Sequence, residues 1–111
     1  MRNEPEKLIQ ESFVQYLGLE QRVPFIHIYY PRSMLEGKRA KRMGLAAGWP
    51  DLLLPAPGSL CLEIKAPGGR QSAIQRARQL ELESYGLIYK TGHSLDELRE
   101  LAQAHCPWGY A

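Results

Sequence analysis

The stretch Asp51-Leu52-Leu53-Leu54-Pro55-Ala56-Pro57-Gly58-Ser59-Leu60-Cys61-Leu62-Glu63-Ile64-Lys65 decides the fold. Two short apolar runs, 51–54 and 60–65, flank a segment rich in proline and glycine, the pattern of two strands joined by a tight connection. This is a hairpin signal. If the hairpin folds symmetrically about Pro57, Asp51 lies opposite Glu63, twelve positions further on. Opposed residues of an antiparallel pair point to the same face, so the two carboxylates converge. Side chains alternate along a strand, which returns Lys65 to the Glu63 face. Ile64 turns into the core and leaves its backbone carbonyl available.

Like charges directly opposed destabilise a sheet unless something positive sits between them. A divalent cation meets that need. Mg²⁺ accepts one or two carboxylates plus waters and phosphate oxygens, and Asp51, Glu63 and the Ile64 carbonyl supply a minimal set of hard oxygens for Mg²⁺ or Mn²⁺. Lys65 then holds the attacking water and offsets phosphate charge, giving metal-assisted phosphodiester hydrolysis. The competing reading of the same three residues is a solvated sheet face with a salt bridge.

Outward from the hairpin, the chain alternates helical and extended patterns. Asn3 and Glu6 have capping-box spacing, and Ile9, Phe13, Val14 and Leu17 form an apolar stripe, which predicts a helix to about Gln21. Phe25 to Tyr30 is β-branched and aromatic between Pro24 and Pro31, a strand at the edge or end of its sheet. An irregular helix is expected between Met34 and Met43. After the hairpin, Ser72 with Gln75 predicts a capped helix ending near Gly86, and Leu87 to Lys90 a short strand. Ser94 with Glu97 caps a last helix through Leu98 and Leu101, followed by an apolar tail, Pro107 to Tyr110. The order predicts one α/β domain over residues 1–111, a small mixed sheet flanked by helices.

Composition agrees with one folded unit: 111 residues, 44% hydrophobic and 23% charged. No apolar run approaches the roughly 20 residues of a membrane span, which points to a cytoplasmic protein without membrane contact. Cys61 and Cys106 have no CxxC spacing and are expected to be reduced structural thiols. The net charge of +2 is too mild to argue nucleic-acid binding by itself. Its distribution is uneven, because Arg32, Lys38, Arg39, Lys41 and Arg42 face only Glu36 between positions 32 and 42. Such a run is either a solvated face or a grip on the phosphates that an acidic metal site cannot itself hold. Arg70, Arg76 and Arg78 are weaker candidates for the same contact. His27, His93 and His105 form no ligand or dyad spacing and read as structural or surface histidines.

Gly48-Trp49-Pro50-Asp51, Glu63-Ile64-Lys65 with Ala66-Pro67-Gly68-Gly69, and Ser72 to Gln75 occur in that order. Together they resemble the VRR-NUC family of the PD-(D/E)xK nucleases, over most of the chain from Glu6 to about Leu101. The resemblance implies a restriction-endonuclease-like core in which Asp51 and Glu63 bind metal, Lys65 is catalytic and Gln75 supports the site from the following helix. It also implies an acidic residue on the first helix, matched to Glu6, with Glu11 as the competing match. Glu6 and Gln75 each also occupy the third position of a capping box, so helix termination alone accounts for them equally well. Small stand-alone members are similar to Holliday-junction resolvases and act as homodimers. The expected activity is therefore a Mg²⁺- or Mn²⁺-dependent endonuclease on branched DNA, such as four-way junctions, with Lys38, Arg39, Lys41, Arg42 and Arg70 on the DNA backbone. The alternative is a non-catalytic junction-binding module with the same fold, and the same metal chemistry also permits an RNA substrate.

Overall fold

The computed structural model describes residues 4–28, 34–43 and 47–106. Asn3, Tyr29, Tyr30, Arg32 and the tail from Pro107 lie outside the described residues. The elements are α1 (Glu4–Gln15), a π-helical turn (Tyr16–Gln21), β1 (Ile26–His27), α2 (Met34–Arg42), β2 (Leu52–Leu54), β3 (Leu60–Ile64), α3 (Ala73–Ser84), β4 (Ile88–Gly92) and α4 (Leu95–His105). The strands form one sheet in the order β1-β2-β3-β4. β1 and β2, and β2 and β3, pair antiparallel, whereas β3 and β4 pair parallel. Parallel neighbours need a crossover rather than a tight turn, and α3 provides it.

The hairpin has the predicted register. Leu52 pairs with Leu62, Leu53 with Cys61 and Leu54 with Leu60, a ladder symmetric about Pro57. Pro57 and Gly58 occupy the centre of the turn that Ser59 N–H closes on Ala56 O at 2.8 Å. Gly58 has φ +84°, the left-handed geometry that a type II turn requires after a proline.

Alternation along the strands then divides the core in two. Leu52, Leu54, Leu60, Leu62 and Ile64 pack with Phe13, Tyr16 and Leu17 of the first helical segment and with Leu98, Ala102 and Cys106 at the other end of the chain. Leu53, Cys61 and Tyr89 face the opposite side, against Leu82 of α3, Trp49 and Leu87. The sheet is thus sandwiched between α1 with α4 and α3. Burial of a leucine in the larger cluster stabilises the fold by roughly 2 kcal/mol.

Three expectations need adjustment. The first helix ends at Gln21 as predicted, but its last six residues wind as a π-helix closed by Arg22 at φ 53°, whose N–H bonds Leu17 O. The wider winding keeps Tyr16 and Leu17 buried together and leaves Gly18, Leu19 and Glu20 in solvent. The strand expected over 25–30 contributes only Ile26 and His27 to the ladder, both exposed at the sheet edge. Its partner is only three residues long, and one further bond, Ile28 N–H to Asp51 O at 3.0 Å, extends the pairing. The last strand runs to Gly92, two residues beyond the apolar pattern, because Lys65 N–H still pairs with Gly92 O at 3.0 Å.

Both helix caps after the hairpin form. Ser72 Oγ accepts from Gln75 N–H at 3.2 Å and Gln75 Oε1 from Ser72 N–H at 2.8 Å, a complete capping box. Ser94 Oγ accepts from Glu97 N–H at 3.1 Å, but Glu97 reaches past the cap to His93 N–H at 2.9 Å. Cys61 and Cys106 are buried and unbridged, as expected. Among the described residues, no helix is long and apolar enough to cross a membrane.

Candidate active site

β3 is the strand on which the sheet changes from antiparallel to parallel pairing; it ends on Glu63 and Ile64, and Lys65 follows directly. Asp51 stands one step before β2, and the ladder carried one pair further sets it across from Glu63. Both carboxylates are buried: Asp51 is 8% exposed and Glu63 0%. Asp51 Oδ2 accepts the backbone N–H of Ile64 at 2.7 Å, while Asp51 N–H bonds Leu62 O at 3.0 Å. The acid is thus fixed to β3 by both its backbone and its side chain. A carboxylate oxygen has two lone pairs, so this bond does not remove Asp51 as a cation ligand.

The residues leading to Asp51 are held against α3. Gly48 has φ +83°, and a Cβ there would stand 2.8 Å from both the carbonyl oxygen and Cγ2 of Ile74, in the first turn of α3. Only glycine fits both the dihedral and the gap. Arg78 of α3 donates to Ala47 O at 3.1 Å and lies 5.3 Å from the Trp49 ring centre while pairing with Glu81. Arg78 is therefore a structural clasp on the loop that presents Asp51.

Glu63 is held differently at its two oxygens. Oε1 accepts the Tyr89 hydroxyl at 2.5 Å and the Gln71 side-chain amide at 3.2 Å. Among the described residues Oε2 is buried without a hydrogen-bond partner, with Lys65 Nζ 4.0 Å away. At that separation the lysine is an ion-pair neighbour and not a hydrogen-bond donor. Burial, and then the bond to Glu63, push the Tyr89 hydroxyl well above its ordinary pKa, so it stays protonated and donating.

This geometry fits a hard divalent cation. A buried carboxylate oxygen with no donor is costly, and a cation between Glu63 Oε2 and the neighbouring Asp51 would remove that cost. Among the described residues, no group of three or more His, Cys, Asp and Glu side chains converges to hold a metal. The donors expected from the sequence, two carboxylates and the Ile64 carbonyl, would be the protein side of such a site. That is a sparse set, which Mg²⁺ tolerates because it retains water.

The other predicted site residues lie on several elements. Lys65 lies beside Glu63. Gln75 is half-buried at the start of α3 with its carbonyl oxygen committed to Ser72 N–H. Glu6 is half-buried on α1 and does not complete a three-carboxylate group with Asp51 and Glu63, and Glu11 is exposed. Arg70 is exposed on the loop after Lys65, one residue before Gln71. Lys38, Arg39, Lys41 and Arg42 are exposed on α2, at spacings that place them along one broad face of the helix.

Sequence reasoning missed Gln71 and Tyr89. A tyrosine inside an otherwise aliphatic strand signals a hydroxyl in need of a partner. The partner follows only from the parallel register, which sets Tyr89 beside Cys61 and thus diagonal to Glu63. The histidine reading holds for His93. Its ring nitrogens face Glu97 Oε1 at 3.2 Å and Gly69 O at 3.1 Å, tying the loop after Lys65 to the start of α4.

A four-stranded mixed sheet flanked by helices fits a restriction-endonuclease-like fold. Among solved structures the chain is similar to one described as a VRR_NUC domain protein, with a TM-score of 0.76 over 98% of this chain and 93% of the other. The two are 20% identical, and the likeness establishes the shared fold. The resemblance read from the sequence motifs therefore holds at the level of the fold. No family model and no curated protein matches the sequence.

Proposed function

We propose that the chain is a nuclease of the VRR-NUC family that hydrolyses phosphodiester bonds in DNA with Mg²⁺ or Mn²⁺, selectively in branched structures such as four-way junctions, as a cytoplasmic homodimer. The observation that carries this reading is the buried Oε2 of Glu63, without a hydrogen bond, beside a second buried carboxylate and 4.0 Å from the Lys65 ammonium. Asp51, Glu63 and the Ile64 carbonyl would hold the cation, which supplies charge neutralisation at the scissile phosphate and a more acidic water. Lys65 orients that water and holds charge on the phosphate oxygens. Its side chain is 15% exposed, against 1% for that of Glu63. Gln75 and Glu6 support the centre from α3 and α1. Lys38, Arg39, Lys41, Arg42 and Arg70 grip the DNA backbone, supplying the sequence-independent part of the affinity.

The test compares labelled four-way junction, flap, duplex and single-stranded DNA, with an RNA substrate alongside, in Mg²⁺, Mn²⁺ or EDTA. Wild type is measured beside Lys65→Ala and Asp51→Asn. Metal-dependent cleavage of the junction ahead of the duplex, lost in both variants, is expected. Junction binding without cleavage of any substrate would overturn the enzyme and leave the non-catalytic junction-binding module. Preferred cleavage of RNA would overturn the DNA assignment alone.

A further inference from the structure

The proposed centre assigns no role to the chain of side chains behind Glu63. Gln79 Nε2 donates to Glu83 Oε2 at 3.2 Å, which turns the Gln79 carbonyl oxygen toward Gln71. The Gln71 amide nitrogen then donates one hydrogen to Gln79 Oε1 at 2.8 Å and its other to Glu63 Oε1 at 3.2 Å. Tyr89 donates to the same oxygen from β4 at 2.5 Å. Glu63 Oε1 therefore receives two donors, which fill its two lone pairs, while Oε2 receives none. One fully buried carboxylate is thus split into a saturated oxygen and an empty one.

We infer that Tyr89 and Gln71 are positioning residues that hold Glu63 Oε1 and so present Oε2 alone, making Glu63 a one-oxygen ligand. This inference rests on the metal-dependent nuclease reading. A carboxylate held to one oxygen suits the small octahedral shell of Mg²⁺ or Mn²⁺, whereas Ca²⁺ readily takes both oxygens in a larger and more flexible shell. The clamp is therefore a selectivity device as well as a support. It comes from two directions, the neighbouring parallel strand and the loop before α3.

The test is calorimetric titration of MnCl₂ and of CaCl₂ into the metal-free protein without DNA, using wild type, Glu63→Gln, Tyr89→Phe, Gln71→Ala and the double variant Tyr89→Phe/Gln71→Ala. Circular dichroism checks the folding of each. Outer partners of metal ligands typically change affinity by about 10- to 100-fold, so the double variant is expected to bind Mn²⁺ at least about 10-fold more weakly. Its Ca²⁺ affinity is expected to fall less, narrowing the preference for Mn²⁺, a change that general loosening of the core would not produce. Gln71→Ala lies on a loop outside the core and carries the same direction if Tyr89→Phe fails to fold. Mn²⁺ binding that Glu63→Gln abolishes but the clamp variants leave within twofold, at an unchanged Mn²⁺ to Ca²⁺ ratio, overturns the inference and leaves the nuclease reading intact. A wild type that binds no Mn²⁺ overturns the inference as well, and the cleavage assay then decides the nuclease reading separately.

Discussion

Replacing Gly48 by alanine separates two reasons for a glycine before Asp51. The position has φ +83°, which an L-residue adopts only at a cost of about 1–2 kcal/mol. The added Cβ would also stand 2.8 Å from Ile74 O, a backbone atom in a helical turn fixed by the Ser72 and Gln75 capping box. A helix carbonyl cannot yield as the tip of a flexible side chain can, so an overpacking cost of about 1–3 kcal/mol adds to the first. Gly68 supplies the control: φ is +78°, but nothing lies within 4 Å of its Cβ position. Gly68→Ala should thus lose only the dihedral part, about 1.5 kcal/mol, and Gly48→Ala about 3 kcal/mol or more. At about 4–8 °C per kcal/mol for a domain near this size, the melting temperatures should fall by roughly 6–12 °C and at least roughly 12–24 °C. Thermal unfolding followed by circular dichroism at 222 nm and by differential scanning calorimetry reads both. Equal losses in the two variants would refute the claim that the loop bearing Asp51 is seated on the α3 backbone.

Three further outcomes follow from charge and burial. Reversing Lys38, Arg39, Lys41 and Arg42 together to glutamate should weaken binding to junction and duplex DNA alike. If each cation meets one phosphate, the slope of log affinity against log salt should flatten by about 3–4; unchanged binding in fluorescence anisotropy would remove α2 from the interface. Burial pushes the Cys61 thiol up to about 11, so native protein should resist an aromatic disulfide reagent at about pH 8 until it is unfolded, and rapid native labelling of Cys61 would contradict its place in the core. The backbone N–H of His93, and then its ring, hold the Glu97 carboxyl below the usual carboxylate range. Because the folded pKa is depressed, the stabilisation is present above the ordinary value and is lost as pH falls through the folded one. Urea unfolding at about pH 7 and about pH 3 should therefore show Glu97→Gln closing the gap to wild type on acidification.

The hairpin was legible because two local signals agreed. Alternation set which residues share a face, and Pro57-Gly58 set the centre of symmetry, so the register followed without tertiary information. Capping boxes were equally local, and Ser72 and Ser94 both accept the predicted backbone bonds. The strand near Ile26 was overextended because its length depends on a partner only three residues long, a property of the sheet and not of the segment. The π-helical turn after Gln15 left no signature in the apolar stripe, which depends only on which side chains reach the core. Gln71 and Tyr89 were hidden for another reason. Their bonds to Glu63 span 8 and 26 positions, and the Tyr89 bond exists only once β4 is known to lie parallel to β3.

The same topology explains why the candidate chemistry sits at the end of β3 and not elsewhere on the sheet. An interior strand with an antiparallel neighbour on one side and a parallel neighbour on the other receives side chains from three distinct chain segments at one end. Here they are the start of β2 with Asp51, the crossover loop with Gln71, and β4 with Tyr89. An edge strand has only one strand neighbour and would leave a carboxylate open to water, where it gains little from fixed partners. Enclosure of Glu63 turns a routine acid into one whose two oxygens are chemically unequal. The price is a buried oxygen without a hydrogen bond, which costs stability in the isolated chain. Gln10 Oε1 and Tyr16 Oη are likewise buried without a hydrogen bond among the described residues, but only Glu63 carries a carboxylate there. Glu63 has a lysine 4.0 Å away and a second acid across the hairpin, and in the proposed function a divalent cation would be the partner that its Oε2 lacks.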